Sequence, residues 1–406
     1  MRVTHVITRL IVGGAQENTL ASVLGLRAKP GLEVDLISGP TTGPEGSLVS
    51  SFEFRVSGST APLLNSKPET RNPQLTLVPE LVRPIHPWKD FLARRRLEKI
   101  FRTTRPDLVH THSGKAGILG RLAAARAGVP IIIHTIHGPS FGNFQSAPAN
   151  LIFRAAERRA AKVTDHFVSV ADAMTRQYLA AGIGQAAQYT KIFSGFDLAP
   201  LLTATNDPGL RAHFGIAPGD FVIGTIARLF KLKGHDDLFA VAPELVRRCP
   251  QIKFLLVGDG PWRSRFENKA RELNLQKNFI FTGLITPAEI PKLTGIMDVL
   301  AHLSLREGLP RALPMALAAA KPVVAYDCDG AREVCLENET GFLLPPGDLT
   351  ALTNRLLQLA GDPALRERLG NHGREFVKPR FSVEKMVDEL HQLYLRLAEQ
   401  KGILVR

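Results

Sequence analysis

Short apolar runs alternate with helical patterns along most of this chain, and that alternation predicts the fold class. Residues 130–138 form an almost continuous apolar run, which is typical of a parallel strand covered by helices on both faces. One series of such strands and helices extends to about residue 197, and a second series starts near residue 221. The pattern predicts an α/β protein with two doubly wound, Rossmann-like domains that face a cleft.

A polar segment at about 198–219, which contains Pro200, Pro208 and Pro218, separates the two series, so we place the domain boundary there. We expect an N-terminal domain at 1–197, a C-terminal domain at 198–380, and a final helix at 381–406 that packs back on the N-terminal domain. Residues from about 39 to 80 are rich in Pro, Gly, Ser and Thr and predict long loops.

Composition is that of an ordinary globular protein, with 44% hydrophobic and 22% charged residues. The three cysteines show no paired spacing, which argues against a disulfide framework or a zinc site and fits a reducing compartment. Residues 1–14 are too short in their apolar part for a signal peptide, and no apolar run is long enough to span a bilayer. We therefore expect a cytoplasmic protein.

The net charge of +13 predicts an anionic partner. Basic residues cluster at 94–102 and again at 154–162. Solvent-exposed helix faces explain such clusters as well as any binding function does. The functional alternative is binding to an anionic membrane surface, which would make this a peripheral membrane protein. Nucleic acid is disfavoured, because no binding module and no interleaving of basic and aromatic residues accompanies the charge.

Segment 307–324 carries the most specific chemistry. It opens with Glu307-Gly308-Leu309, becomes rich in alanine and ends in an apolar strand. We predict a helix that starts at Gly308 and Leu309, because free backbone amides at a helix N-terminus suit a phosphate. The carboxylate of Glu307 would lie beside such an anion site. A carboxylate does not bind an anion, so we expect it to bind neutral groups such as sugar hydroxyls.

Two cations follow a predicted strand at 221–226. Arg228 can chelate a phosphate through two parallel hydrogen bonds and Lys233 adds a point charge, so the loop could hold a diphosphate without a metal ion. Ordinary surface charges explain the pair equally well. Glycines end the next two predicted strands, at Gly258 and Gly283.

In the N-terminal half, Gly13-Gly14-Ala15-Gln16 forms a strand-to-helix turn of the kind that faces phosphates. His112 and His137 both end strands, at the edge where open α/β sheets bind ligands, and a functional role for them is as plausible as a structural one. Lys115 could meet an acidic acceptor, although a solvated helix face is the stronger interpretation.

These blocks resemble glycosyltransferase family 4, whose members are retaining enzymes with two Rossmann domains in the GT-B arrangement. The Glu-Gly-Leu-Pro block at 307–310 and the Thr-Gly-Phe-Leu-Leu-Pro-Pro-Gly-Asp block at 340–348 are the specific matches. Weaker matches occur in the expected order at 13–14, 194–197, 227–234 and 257–260. Segment 110–120, together with His137, is similar to bacterial members that build exopolysaccharide or capsule.

The resemblance implies a UDP- or GDP-sugar in the C-terminal domain and a glycan or lipid-linked acceptor in the N-terminal domain. Arg228 and Lys233 would hold the donor diphosphate and Glu307 the sugar hydroxyls, while His137 would lie near the donor sugar. The remaining donor-binding positions would be Gly13, Gly14, Gly258, Gly283, Gly308, Leu309 and Met315. Positions His112, Lys115 and Gln16 remain candidates for the acceptor or for supporting contacts.

No metal cofactor is expected, because the family is generally metal-independent. The triplet Asp327-Cys328-Asp329 looks like a metal-binding motif of another transferase fold, but a turn and helix cap explain it better. One position departs from the family pattern: Met315 replaces a second glutamate that usually contacts the nucleotide ribose. A thioether is a weak acceptor, so ribose binding should lose about 1.5–3 kcal/mol unless another residue substitutes, which we favour.

We therefore predict a hexosyltransferase that acts in polysaccharide biosynthesis. Two alternatives remain open at this stage. A nucleotide-sugar epimerase of the same architecture would use the same phosphate loop and glutamate, and it would convert its substrate without an acceptor. An inactive, glycosyltransferase-like binding protein would explain Met315.

Overall fold

The computed structural model describes residues 1–41, 48, 75–142 and 144–404. Its contacts divide the chain into a first unit, Met1–Phe196 with Val383–Arg406, and a second unit, Asp197–Ser382. Most of the loops predicted at about 39–80 fall on residues 42–47 and 49–74, which lie outside the described residues. Among the described residues, every helix is too short or too polar to cross a bilayer.

The first unit is built on a parallel sheet, whose described strands have the order β3-β2-β1-β4-β5-β6-β7. These strands are β1 Arg2–Ile7, β2 Glu33–Ser38, β3 Leu75–Leu77, β4 Leu108–His112, β5 Ile131–Ile136, β6 His166–Ser169 and β7 Tyr189–Lys191. The register sets His5 of β1 beside His110 of β4, and His112 beside Thr135 of β5. Strands β4 and β5 are buried along their whole length, as their apolar sequences predict.

Helices cover this sheet, and the last of them comes from the far end of the chain. Those in the described part of the unit are Gly14–Arg27, Pro87–Thr104, Gly114–Ala127, Ala147–Ala161, Asp172–Ala180 and Val383–Gln400. Helix Val383–Gln400 packs so closely on helix Gly14–Arg27 that a Cβ at Gly25 would lie 2.4 Å from a methyl of Val387. Its buried side chains, among them Leu390 and Tyr394, share one core with the first sheet.

The second unit repeats the architecture with a sheet of order β10-β9-β8-β11-β12-β13. Its strands are β8 Phe221–Ile226, β9 Ile252–Val257, β10 Phe279–Phe281, β11 Val299–His302, β12 Val323–Tyr326 and β13 Gly341–Leu344. Its α-helices are Ala199–Leu202, Pro208–His213, His235–Arg248, Arg263–Glu272, Ile290–Gly295, Ala312–Ala318, Leu349–Gly361 and Pro363–Val377. The prediction of two doubly wound α/β domains is confirmed.

The predicted start of one helix is wrong. The helix after Glu307 begins at Ala312, so Gly308 and Leu309 lie in the loop before it and their amides do not form a helix N-terminus. Pro310 accounts for the delay, because a proline disfavours helical backbone at the residue before it.

Candidate active site

Glu307 is the centre of a polar cluster in the second unit. Its carboxylate accepts a hydrogen bond of 2.6 Å from Nζ of Lys233, and Nε2 of His302 lies 3.3 Å from the same oxygen. Its backbone N–H donates to Oδ2 of Asp329 at 2.7 Å. With 17% of its side chain exposed, Glu307 is held from several sides and remains open to a ligand.

Backbone contacts position Lys233 next to this carboxylate. The carbonyl of Leu232 accepts a bond of 2.9 Å from the N–H of Leu305, which ties the loop after β8 to the loop after β11. Gly234 follows with φ of 73°, and a Cβ at that position would lie 2.0 Å from the carbonyl oxygen of Leu303. Only glycine allows so close an approach, so the Lys-Gly pair is a packing requirement as well as a source of charge.

Electrostatics keep Glu307 ionised. Burial by itself raises the pKa of its carboxyl group, but the Lys233 ammonium and the His302 ring outweigh burial and hold the pKa well below the usual range. An ionised carboxylate only accepts hydrogen bonds, which suits hydroxyl donors. The cluster can therefore bind a hydroxyl group beside a phosphate.

The Asp327-Cys328-Asp329 triplet is occupied by protein contacts. Asp327 accepts a bond of 2.9 Å from Nε of Arg332, and Asp329 accepts the Glu307 amide. Burial raises the pKa of the Cys328 thiol to about 12, so the thiol is protonated and a poor metal ligand. Both aspartates therefore stabilise the local turn through hydrogen bonds to neighbouring protein groups.

Arg228 lies at the start of the same loop as Lys233 and is exposed, with its guanidinium 5.6 Å from the centre of the Phe230 ring. The turn after β9 packs against this loop: a Cβ at Gly258, where φ is 132°, would lie 2.4 Å from the carbonyl oxygen of Ala227. Gly258 is also bridged to Gly283. The C-terminal ends of β8, β9 and β10 thus bring Arg228 and both glycines to one edge of the sheet.

The two remaining candidates of the second unit differ in exposure. Leu309 is 6% exposed, so its side chain is buried and not available to a ligand. Met315 is partly exposed on helix Ala312–Ala318.

In the first unit the structure brings the two predicted histidines into contact. Nδ1 of His112 lies 3.0 Å from Nε2 of His137. Gly13 and Gly14 lie at the start of helix Gly14–Arg27, and a Cβ at Gly13 would lie 2.9 Å from Oε1 of Gln16, so the three positions form one turn.

Lys115 differs from the prediction. Its ammonium lies 2.6 Å from Oδ1 of Asp90, and the two side chains are only 13% and 18% exposed. The side chain is therefore a partner in a largely buried ion pair, and the interpretation as a solvated helix face is wrong.

Sequence reasoning missed His5, His110 and Tyr394, all of which are buried. His5 is hydrogen-bonded to His112, and the Tyr394 hydroxyl is hydrogen-bonded to both His5 and His110. The spacing of His110 and His112 carried a signal, because alternate residues of a strand point to the same face. Ring nitrogens of His5, His110 and His112 lie within 4.8 Å of one another, close enough to suggest a metal site. A metal ion there would have to replace hydrogen bonds that the rings already make, such as the 2.9 Å contact between His5 and His112.

Two family descriptions match the chain in succession. The glycosyl transferase 4-like domain matches residues 13–191, and the glycosyl transferases group 1 family matches residues 207–376. A GDP-mannose-dependent alpha-(1-6)-phosphatidylinositol monomannoside mannosyltransferase of Mycolicibacterium smegmatis is 31% identical over 273 residues, which are 64% of this chain and 68% of that enzyme. The chain belongs to glycosyltransferase family 4.

Other family 4 glycosyltransferases match over more of the chain. A UDP-Gal:alpha-D-GlcNAc-diphosphoundecaprenol alpha-1,3-galactosyltransferase of Escherichia coli is 28% identical over 328 residues, 80% of this chain and 84% of that enzyme. Among solved structures, Anabaena HepE in complex with UDP and glucose has a TM-score of 0.79 at 20% identity, and the match covers 98% of this chain and 100% of that one. Sucrose-phosphate synthase from Thermosynechococcus elongatus has a TM-score of 0.77 at 21% identity, with the same coverage. This glycosyltransferase therefore has the GT-B fold.

Proposed function

We propose that this glycosyltransferase transfers a hexose from a UDP- or GDP-sugar, with retention of anomeric configuration, to a glycan or lipid-linked acceptor of a cell-surface polysaccharide. The observation that carries the proposal is the 2.6 Å contact between Lys233 and Glu307. It sets a cation suited to phosphate beside a carboxylate suited to hydroxyls, and a sugar phosphate carries both of these groups.

Several relatives support the substrate class. The Escherichia coli enzyme is named for UDP-galactose and a lipid diphosphate acceptor, and the Mycolicibacterium enzyme is named for GDP-mannose. Staphylococcus aureus CapM is named for capsular polysaccharide biosynthesis. Crystals of HepE contain UDP-glucose.

The residues act on the leaving diphosphate and on the sugar. Cleavage of the glycosidic bond leaves negative charge on the diphosphate, which the fixed charges of Arg228 and Lys233 stabilise. Glu307 orients the sugar through its hydroxyls, and its low pKa keeps it an acceptor throughout the working pH range. Two fixed cations provide the charge that a divalent ion supplies elsewhere, so we propose a metal-independent reaction.

Purified protein incubated with a panel of UDP- and GDP-sugars and a lipid extract tests this function. We expect nucleotide release that survives EDTA, and a product whose anomeric proton couplings match those of the donor. Arg228→Met, Lys233→Met and Glu307→Gln should each abolish most of the release. The matched control is Arg247→Met, which removes an exposed arginine from helix His235–Arg248 and should leave release unchanged. Silence across the panel, or sugar conversion without an acceptor, contradicts the proposal.

We also propose that the first unit rests on an anionic membrane surface on the cytoplasmic side. Helix Pro87–Thr104 exposes Trp88 and Phe91 by 65% and 40%. The guanidinium groups of Arg94 and Arg95 lie 5.7 and 5.5 Å from the centre of the Phe91 ring. Aromatic rings beside arginines suit the boundary between acyl chains and anionic headgroups.

A second helix nearby also exposes apolar side chains. Helices Pro87–Thr104 and Ala147–Ala161 both contact helix Gly114–Ala127. Ala147–Ala161 exposes Leu151 and Ile152 by 67% and 62%. Burial, and after it nearby positive charges that include Arg159 of this helix, lower the pKa of Arg94, so the arginines of the two helices act on each other. An anionic surface would relieve that repulsion.

Co-sedimentation with liposomes tests this surface. We expect binding to vesicles with anionic lipid, weakened by salt, and little binding to neutral vesicles. Reversing Arg94 and Arg95 to Glu should abolish it. The control is reversal of Arg247 and Arg248 to Glu, which lie on the second unit. This variant has the same net charge as the first and should still bind anionic vesicles. Binding that ignores salt and survives the first pair of reversals refutes the proposal.

A further inference from the structure

A chain of hydrogen-bonded side chains crosses the interior of the first unit and ends at His137. Its order is Thr135, His110, Tyr394, His5, His112 and His137. The successive donor–acceptor distances are 2.6, 2.5, 3.3, 2.9 and 3.0 Å. The members before His137 are at most 3% exposed, while His137 is only partly buried.

The rings in the interior are neutral. Burial lowers the pKa of His5 to about 3, and burial lowers the pKa of His110 and of His112 well below the usual value. A neutral imidazole has one N–H donor and one bare nitrogen that accepts. A ring that receives a hydrogen bond on one side must therefore donate one on the other. The Tyr394 hydroxyl could accept from both of its neighbours only by leaving its own proton buried without an acceptor, so it too receives one bond and donates the other.

The series of hydrogen-bonded side chains therefore has two states, in which the bonds are donated in opposite directions. In the first, Thr135 donates to Nε2 of His110, and each member donates to the next until Nδ1 of His112 donates to Nε2 of His137. All four histidines then carry their proton on Nδ1. In the second, every bond reverses and all four carry it on Nε2.

Thr135 decides between the two states. It is 3% exposed, and among the described residues its hydroxyl has a single hydrogen-bond partner, Nε2 of His110. If His110 donated, the proton of Thr135 would be buried without an acceptor, which costs about 1–3 kcal/mol. The cavity beside Thr135 measures only about 10 Å³, at the lower limit for one water, and five of its eight lining residues are apolar.

We propose that this chain fixes His137 as the tautomer with its proton on Nδ1, so that any ligand at that nitrogen must accept a hydrogen bond. Nε2 of His137 is occupied by the proton of His112 and cannot act as a base. The ligand atom is an oxygen that accepts, such as a sugar hydroxyl or a phosphate oxygen. The identity of that ligand rests on the proposed function, whereas the tautomer does not.

Tyr394 makes the C-terminal helix part of this arrangement. It comes from helix Val383–Gln400, 284 residues after His110. Its hydroxyl connects His110 to His5, so the series of hydrogen bonds depends on this helix. Tyr394, His5 and His112 are positioning residues, since they act on a ligand only through His137.

Long-range ¹H–¹⁵N correlation spectra of the ligand-free protein, labelled at histidine, test the proposal directly. We expect His5, His110, His112 and His137 all to be protonated on Nδ1 and bare on Nε2 at pH 7. A proton on Nε2 of His137, or a mixture of tautomers among the four, overturns the proposal.

Variants of His112 test whether the chain imposes the state. His112→Phe removes the donor to His137, so His137 should show both tautomers. His112→Asn places an amide N–H near the lost Nδ1 and should restore the single tautomer; this smaller change also serves if the phenylalanine variant does not fold. The matched control is His166→Phe, which removes another buried histidine, bonded to Thr190 at 2.8 Å, and should leave His137 unchanged. A single Nδ1–H tautomer in His112→Phe overturns the proposal.

Turnover separates this inference from the proposed function. If the wild-type protein transfers sugar, His112→Phe should lower kcat at least tenfold, and His112→Asn should recover most of it. Unchanged kcat in His112→Phe, with the tautomer released, overturns the role assigned to His137. Absence of transfer in the wild type contradicts the proposed function and leaves the tautomer result standing.

Discussion

Lys233→Met should separate the structural contribution of the Lys233–Glu307 pair from its contribution to donor binding. The substitution keeps the length of the side chain and removes its charge. In the structure the pair is 2.6 Å long and its side chains are 26% and 17% exposed. Removal of the ammonium leaves Glu307 ionised in a partly buried place, without its strongest partner.

The magnitude follows from this partial burial. Exposed pairs contribute about 0–1 kcal/mol, and removing one partner of a buried pair costs about 3–5 kcal/mol, so we expect a loss of about 2 kcal/mol in the free energy of unfolding. Donor binding should lose a hydrogen bond to a charged phosphate, about 1.5–3 kcal/mol, or roughly 10- to 150-fold in Kd.

Urea unfolding measures the first quantity and calorimetry with UDP or GDP the second. Lys115→Met is the control for stability, because its pair with Asp90 has the same length of 2.6 Å and similar burial, at 13% and 18% exposed. Lys191→Met is the control for affinity; it breaks a 2.6 Å pair with Asp172 in the first unit. Unchanged nucleotide affinity in Lys233→Met refutes the assignment of Lys233 to the diphosphate.

The pH dependence gives an independent readout of the same pair. A depressed carboxyl pKa contributes stability that is present above the unfolded value, about 4.3, and that is lost as pH falls towards the folded value. In the wild type this contribution should therefore be constant from pH 8 to 5. In Lys233→Met, burial is less opposed and raises the pKa of Glu307, so donor affinity should fall on acidification. A flat profile in the variant contradicts this reasoning.

Three further predictions test other parts of the molecule. Burial lowers the pKa of His5 to about 3, so below about pH 6.5 the unfolded state binds a proton that the folded state does not. Each buried histidine of this kind should cost about 1.4 kcal/mol of stability per pH unit under 6.5, and equal urea midpoints at pH 7 and 5 would contradict this. Glu157→Gln leaves the guanidinium of Arg121 without its countercharge where both side chains are 0% exposed, so we expect a loss of about 3–5 kcal/mol, measured by thermal unfolding. The double variant Arg121→Met/Glu157→Leu should recover most of that loss; if it does not, packing is the cause instead of charge. Met315→Glu should tighten nucleotide binding by about 1.5–3 kcal/mol in calorimetry, and unchanged affinity would show that this position does not meet the ribose.

Much of the fold was predictable because it is encoded locally. Apolar runs followed by helical patterns mark the strands and helices of both units, and most predicted elements agree with the structure within a few residues. The start of the helix after Glu307 was predicted too early, at Gly308 instead of Ala312. Strand β7, Tyr189–Lys191, was not predicted, since three residues carry too little pattern.

The site was predictable in part. Strand ends in a parallel sheet meet at one edge, which is why His112 and His137 could be paired in advance. Their contact with His5 and Tyr394 could not be predicted, since Tyr394 lies 389 residues from His5. The burial of Lys115 against Asp90 was equally invisible, because it depends on how two helices pack.

The amino-acid sequence by itself determined the two α/β halves, the enzyme class and the residue types of the candidate site, because periodicity and motif blocks are properties of neighbouring residues. Only the tertiary structure decided which charges pair and which protons are shared. Lys233 reaches Glu307 across 74 residues, and Thr135 is linked to His137 through a tyrosine of the last helix. Such contacts arise from the order of strands in a sheet and the docking of distant helices, and their energies depend on burial that no local pattern records.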